Sequence, residues 1–383
     1  MSAQQRRPVV HYPSELTAQL KGGVLRGRYH PESNEYNVLA YGPEAGGTYP
    51  VIGRLLGPDE SPPPPPDATR EELIGVWEDG ALRFRQGKRL CTARPYQLQR
   101  DVFSRNEGIL ETDRMLEKRV VVSGCGSVGS LVALELARAG VGHFLLVDPD
   151  TLAYHNLCRH QCGVDEVGMF KVSAVRDRIH KSNPLASVNV QPVTIERLPQ
   201  RQLDEFFSPG TVVVGCADNR EGDVWASGLA VAYRVPFVSI GCWERAFAGE
   251  IFYSLPGLTP CYSCPFGEGG LSSRASTNRR FYTHEEELAA ATFMPGISAD
   301  INFVTTIGIK VILDLLNRDD EAYIPRVIND LSQFTLVCNT NDVRVAGERA
   351  EIFSYPLQVT RSIDVDYRPP CPPCKLERHG QFQ

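Results

Sequence analysis

The chain has no apolar stretch long enough to cross a bilayer, and its opening, MSAQQRRPVVHYPSE, lacks the apolar centre of a signal peptide. A membrane partner is therefore not expected, and the cytoplasm is the expected location. Positive charge is also not in excess: 40 Lys and Arg stand against 46 Asp and Glu, a formal net charge of −6. That balance excludes a general attraction to nucleic acid. No internal repeat is visible. What is present is ordinary for a globular protein, with 42% apolar and 22% charged residues over 383 positions, long enough for two domains. Eleven cysteines in such a chain point to thiols and a metal site rather than to disulfides.

Two regions read differently. Residues 1–98 carry short strand-like segments (GGVLRGRYH, NEYNVLAYG, TYPVIGRLL, GALRFRQG) separated by turns, so a small β-rich or α+β accessory domain is expected. Its proline run Pro62–Pro66, within residues 58–67, cannot lie inside a sheet or helix and reads as an exposed loop, with a linker as the alternative. Over residues 99–383 strands and helices alternate. Strands are predicted near 119–124, 143–148, 188–193, 211–216, 235–240 and 248–255, with helices near 128–139, 169–182, 199–207, 223–233 and 299–317. Such alternation predicts an α/β, Rossmann-like, mostly parallel sheet with helices on both faces. QFTLVC and EIFSYPL are expected as late strands.

The segment VVVSGCGSVGSLVALELARAGVGHFLLVDPD, residues 120–150, is the most informative. A strand enters a glycine-rich turn (Gly124, Gly126, Gly129), a helix follows, and the next strand ends on Asp148. In a βαβ unit this places backbone amides and a positive helix end against phosphates, with a carboxylate for ribose hydroxyls. A nicotinamide dehydrogenase shares such a turn. The residues beyond Asp148 argue against hydride transfer, because VDPDTLAYHNLCRHQC and GMFK supply Asp150, Asn156, Arg159 and Lys171 where a polyphosphate would lie. VVVGCADN then ends a strand at Asp218, a carboxylate suited to magnesium beside a triphosphate.

Cys261 and Cys264 (TPCYSCP) and Cys371 and Cys374 (PPCPPCK) form two CxxC pairs, the thiolate pattern of a tetrahedral structural zinc site. Because the pairs lie far apart, the ion would clip the C-terminal tail to the body. A redox dithiol is the competing reading. The other cysteines sit mostly in apolar or strand-end contexts, as small core residues do.

GCGSVG, DPDTLAYHNLCR, GMFK, CADN, CYSC and CPPC, taken in that order, resemble the ThiF/MoeB/HesA superfamily, the fold of ubiquitin-activating enzymes. The resemblance implies an ATP- and magnesium-dependent enzyme that adenylates the C-terminal carboxylate of a ubiquitin-like protein and works as a homodimer. It implies phosphates over Gly124, Gly126 and Gly129, and ribose on Asp148. Asp150, Asn156, Arg159 and Lys171 would surround the triphosphate, with magnesium on Asp218. Arg105 (FSRNEGIL) would reach into the partner protomer's site, and Cys261, Cys264, Cys371 and Cys374 would hold zinc. The expected catalytic set is Arg105, Arg159, Lys171 and Asp218. Three departures stand out. His160 replaces a common Gln, Asp223 lies near the place of a usual Arg, and residues 265–297 hold no cysteine for a thioester.

The chemistry implied is attack of a carboxylate on the α-phosphorus, with an extended tail threaded under a crossover loop (GEGGLSSRASTN). Ser272, Ser273 and Ser276 are candidates for a later acyl acceptor, and a conjugating enzyme is a possible recipient. MccB-like relatives modify a short ribosomal peptide by the same adenylation, and ATFMP resembles that branch. A catalytically silent scaffold is the third reading.

Overall fold

The computed structural model describes residues 7–16, 22–42, 49–57, 60, 72–217, 220–267, 295–363 and 365–375. It divides into two compact units, Met1–Ser104 and Arg105–Gln383. The first contains β1 (Val9–Pro13), β2 (Gly23–His30), β3 (Glu35–Gly42), β4 (Val51–Leu55), β5 (Leu73–Glu78), β6 (Ala81–Gln86), β7 (Arg89–Leu90), β8 (Thr92–Tyr96) and the short helix α1 (Leu98–Phe103). The strands form one mixed sheet in the order β7-β6-β5-β4-β2-β3-β1-β8. Alternation drives it, as β6 shows: Leu82 and Phe84 are buried while Ala81, Arg83 and Arg85 face solvent. Val10, Leu25, Val38, Leu55, Leu73 and Phe84 make its core. Of the proline-rich stretch 58–67 only Glu60 is described.

In the second unit, α2 (Thr112–Glu117) precedes β9 (Arg119–Ser123), α3 (Ser127–Arg138), β10 (His143–Val147), α4 (Lys171–Ser182) and β11 (Ser187–Gln191). Then come α5 (Gln200–Phe206), β12 (Thr211–Gly215), α6 (Arg220–Ala232), β13 (Phe237–Cys242), β14 (Ala248–Ser254) and α7 (Ser263–Phe266). The described chain resumes with α8 (Ser298–Leu316), β15 (Phe334–Cys338), α9 (Val343–Ala346) and β16 (Val359–Ile363). The sheet order is β11-β10-β9-β12-β13-β14-β15-β16, parallel through β13 and antiparallel beyond it.

The central strands β9, β10, β12 and β13 are buried on both faces, which is why they read as continuous apolar runs. Val120 and Val122 of β9 join Phe144 and Leu146 of β10 in a core shared with α3, α4 and α8. Val121, Leu145 and Val147 point the other way, into a core shared with α5, α6 and α7. This is the Rossmann-like α/β fold. Strand order reverses between β9 and β12, and in such sheets the crevice for a ligand opens there, outside the carboxyl ends.

One expected strand is corrected. EIFSYPL is not extended: Gly347–Ile352 forms a 3₁₀ turn, and Leu357 has φ 53°. Only Phe353 is buried there, while Ile352, Tyr355 and Leu357 are exposed, so the apparent alternation does not place one face on a core. The edge strand is the next segment, β16.

Candidate nucleotide site and metal centre

The crevice begins where β9 stops. Gly124 turns with φ 95°, and a Cβ there would lie 2.7 Å from the Cys216 carbonyl on the neighbouring strand end. Gly129, in the first turn of α3, lets the helix close on the turn, since its Cβ would fall 1.8 Å from the Gly124 carbonyl. Gly124 and Gly126 line the crevice, whereas Gly129 serves the packing beneath it. The cap position of α3 is Gly126 and supplies no side-chain acceptor. The first amides of the helix, positive end of its dipole, are therefore presented beside Ser127 and Val128 in the cavity wall.

Asp148 is fixed at the end of β10. One carboxylate oxygen accepts the Cys125 amide at 2.7 Å and the other accepts the Asp150 amide at 2.8 Å. Burial raises its pKa, an effect opposed by Lys171 and by these two amides. Lys171 opens α4 and its Nζ lies 2.7 Å from Asp150, whose side chain is 64% exposed. Asn156 caps its own turn by accepting the Ala153 amide at 2.9 Å, and Arg159 follows on the next turn.

Two cavities meet here. One, of about 300 Å³, is lined by Gly124, Gly126, Asp148, Asp150 and Lys171. The other, of about 390 Å³, shares Gly126, Asp150 and Lys171 and adds Asn156, Arg159, His160 and Trp243. These volumes lie in the range of small-molecule sites. Six of the expected residues (Gly124, Gly126, Asp148, Asp150, Lys171, Asn156) and Arg159 thus share one crevice. Arg105 is exposed and lines neither cavity. Asp218, the crossover stretch 268–294 with its serines, and most of ATFMP lie outside the described residues.

Two of the three departures, Asp223 and His160, find structural roles. Asp223 is fully buried, accepts the Ser239 hydroxyl at 2.7 Å and faces the Ala217 amide at 3.4 Å. It braces the strand end that leads to residue 218. His160 bonds to both the glycine-rich turn and the following loop. A third feature escapes sequence reading altogether. Arg220, at the start of α6, pairs with buried Glu250 at 2.8 Å, bonds the Tyr262 hydroxyl at 3.0 Å and lies over the Phe266 ring. The Trp243 indole donates to the same Glu250 carboxylate at 3.0 Å. No motif signals this network, because its members come from α6, β14, α7 and the turn after β13 and meet only through tertiary packing.

The four cysteine sulfurs lie within 4.8 Å of one another, with Cys261 and Cys264 each 3.5 Å from Cys371 and Cys264 3.9 Å from Cys374. Four thiolates at about 2.3 Å from one zinc in a tetrahedron stand about 3.8 Å apart. Donor set and spacing therefore fit zinc, and Cys261, Cys264 and Cys371 are buried. Elsewhere burial raises the Cys125 thiol, next to Asp148, well above its ordinary pKa and pushes Cys162 up to about 12. Both are held neutral, as core thiols are.

Among curated proteins, ubiquitin-like modifier-activating enzyme 5 of Caenorhabditis elegans is 31% identical over 164 residues, 40% of this chain and 39% of the relative. The Arabidopsis thaliana protein of the same name is 30% identical over 171 residues, 41% of this chain and 40% of the relative. The chain thus spans about 40% of the length of the curated relatives it matches. Among solved structures, Escherichia coli MccB with MccA-N7isoASN superposes with a TM-score of 0.50 at 18% identity, over 69% of each chain. Escherichia coli MccB alone gives 0.50 at 20% identity, over 69% of this chain and 66% of that one. That likeness is one of fold. No helix among the described residues is long and apolar enough to cross a membrane. The ThiF family matches residues 96–337, more than half of the chain and the whole of the crevice from the glycine-rich turn to Trp243, and the protein belongs to that family.

Proposed function

We propose that this chain is an ATP-dependent adenylyltransferase acting on the C-terminal carboxylate of a ubiquitin-like protein. The observation that carries this reading is the joined crevice at the strand-order reversal, where helix amides, Asp148, Lys171 and Arg159 converge. Family membership and the names of the curated relatives support it.

In the proposed reaction a substrate carboxylate oxygen bonds to the α-phosphorus of ATP as the bond to the β-phosphate oxygen breaks. The products are acyl-AMP and pyrophosphate. The nucleophile is already ionised, so no general base is required. The obstacle is bringing an anion to a polyanion. The amides of Gly126 and the first turn of α3 would receive phosphate oxygens, and Asp148, already oriented by two amides, would receive a ribose hydroxyl. Lys171 and Arg159 would meet charge developing on the phosphates, Asn156 holding the arginine loop. Asp218 would hold magnesium, whose charge lowers the repulsion between tail and triphosphate. Arg105, exposed in its own protomer, suits a role in a partner's crevice within a homodimer.

The four cysteines would hold a structural zinc, with no position left for substrate. The β-rich unit is an accessory domain in this reading, and the cytoplasm is its place of action. Transfer to a conjugating enzyme would follow without an acyl-cysteine on residues 265–297, which contain none.

Exchange of labelled pyrophosphate into ATP tests the proposal. With magnesium and a ubiquitin-like protein ending in glycines, exchange is expected. Exchange supported only by short free peptides would instead favour peptide modification, and no exchange with either would favour a silent scaffold.

A further inference from the structure

His160 is 7% exposed and both of its ring nitrogens are engaged. Nδ1 accepts the Cys162 amide at 3.1 Å. An accepting Nδ1 makes Nε2 the protonated nitrogen of a neutral ring, and it donates to the Cys125 carbonyl at 2.8 Å. Cys125 lies between Gly124 and Gly126, and its amide is one of the two that fix Asp148. The residue before His160 is Arg159. One imidazole therefore ties the glycine-rich turn to the arginine loop, and it lines the larger cavity beside Arg159 and Lys171.

We propose that His160, in its neutral form, is a positioning residue for nucleotide binding, setting the glycine-rich turn and Asp148 in register with Arg159. The inference rests on the nucleotide reading given above. The physical requirement is narrow: one donor and one acceptor on a short, stiff side chain, with no room for a second proton. Protonation would put an N–H on Nδ1 facing the Cys162 N–H, so an attraction would become a repulsion.

The groups around the ring bear on that proton from several elements. Burial, the main cause, lowers the His160 pKa below the usual histidine range, and Lys171 on α4 adds to this. The bond to the Cys125 carbonyl and the charge of Glu166 act in the opposite sense, although Glu166 is itself engaged by Arg178 at 2.9 Å. The adjoining thiols of Cys125 and Cys162 are held neutral by burial. The neutral ring therefore prevails near neutrality and is lost on acidification.

A glutamine offers the same pair of groups, an amide donor and a carbonyl acceptor, but does not titrate. The test is calorimetric titration of the full chain with α,β-methylene ATP and magnesium, from about pH 5 to about pH 8. His160→Ala is expected to weaken binding about tenfold at neutral pH, the consequence of losing a hydrogen bond of about 1.4 kcal/mol. His160→Gln is expected to bind within about twofold of the wild type and to escape the wild-type loss of affinity on the acid side. Protonation of the nucleotide, and of Asp148, whose pKa burial raises, affects both proteins alike and cancels in the comparison. A folded Ala variant that binds as the wild type does overturns the role of His160, and so does a Gln variant with the wild-type acid limb. Should the Ala variant fail to fold, the Gln curve decides. A wild type that binds no nucleotide at any pH overturns the reading of the crevice, and this inference with it.

Discussion

The crevice and the cysteine knuckle are assembled in opposite ways. The residues expected to meet the nucleotide come from one continuous stretch, β9 to α4, with walls added by the segments after β12 and β13, and they are held mainly by backbone: the Gly124 amide on the Val147 carbonyl and the Asp148 carboxylate on two amides. The knuckle joins residues more than a hundred positions apart chiefly through side-chain sulfurs. Backbone scaffolding leaves side chains such as Lys171 to act on a ligand with little duty to the fold. Sulfur scaffolding makes every cysteine a duty to the fold. The two regions should therefore respond to substitution in opposite ways, through binding and rate in one and through stability in the other.

The largest expected effect is at the knuckle. Cys371→Ser should abolish bound zinc and lower the melting temperature by roughly 10 °C or more, since structural zinc contributes on the order of 10 kcal/mol in small peptides. Nucleotide binding by the protein that remains folded should be unchanged. Metal analysis and a thermal melt decide this. A Ser variant that melts with the wild type would end the contrast.

Glu250 belongs to both regions and is the place to break the comparison. Its carboxylate holds Arg220, which in turn bonds Tyr262 between two of the cysteines, and it also receives the indole of Trp243 in the cavity wall. Glu250→Ala leaves the Arg220 guanidinium, 12% exposed, without its carboxylate and should cost about 3–5 kcal/mol. Urea denaturation measures that loss. Trp243 fluorescence should shift in the native state, because the indole loses its acceptor. A loss below about 1 kcal/mol would show that the pair is not essential to the fold.

Lys171→Ala sharpens the other side. Pyrophosphate exchange should fall by roughly 10²–10³, about 3–4 kcal/mol in the transition state, with an unchanged melting temperature. Unaltered exchange would remove Lys171 from the chemistry, and an early melt would make it structural.

The same contrast explains what could be read without a structure. The strands β9, β10, β12 and β13 are buried on both faces, so Val120–Val122 and Phe144–Val147 announce themselves by composition alone. The glycine-rich turn and Asp148 are local, and spacing is enough to find them. Strands Val9–Pro13 and Leu73–Glu78 escaped, being short and carrying proline or glycine within the run. EIFSYPL misled because apolar residues alternate there with no core to receive them. Contacts made across the sheet were invisible: nothing near Glu250 in the chain announces Arg220, and nothing near His160 announces Cys125.

The smallest expected effect concerns the pair Asp150–Lys171, and it tests whether the contrast holds at the level of single contacts. Asp150 keeps two backbone duties whatever its side chain: its amide bonds Asp148 and its carbonyl accepts the Lys171 amide at 2.9 Å. Only the exposed carboxylate, 2.7 Å from Nζ, is removed in Asp150→Ala. Exposed pairs contribute about 0–1 kcal/mol, so stability should change by less than about 1 kcal/mol. The consequence for binding depends on what the carboxylate does to Lys171 before ATP arrives. If the lysine must leave Asp150 to meet a phosphate, removing the acid favours the bound state; if Asp150 also faces the triphosphate, its loss removes a repulsion. Both act in the same direction, so the Kd for α,β-methylene ATP without magnesium should fall about threefold, the scale of such a pair. A weaker Kd would mean that the carboxylate holds Lys171 in place for the ligand, and the crevice would then depend on side-chain scaffolding after all.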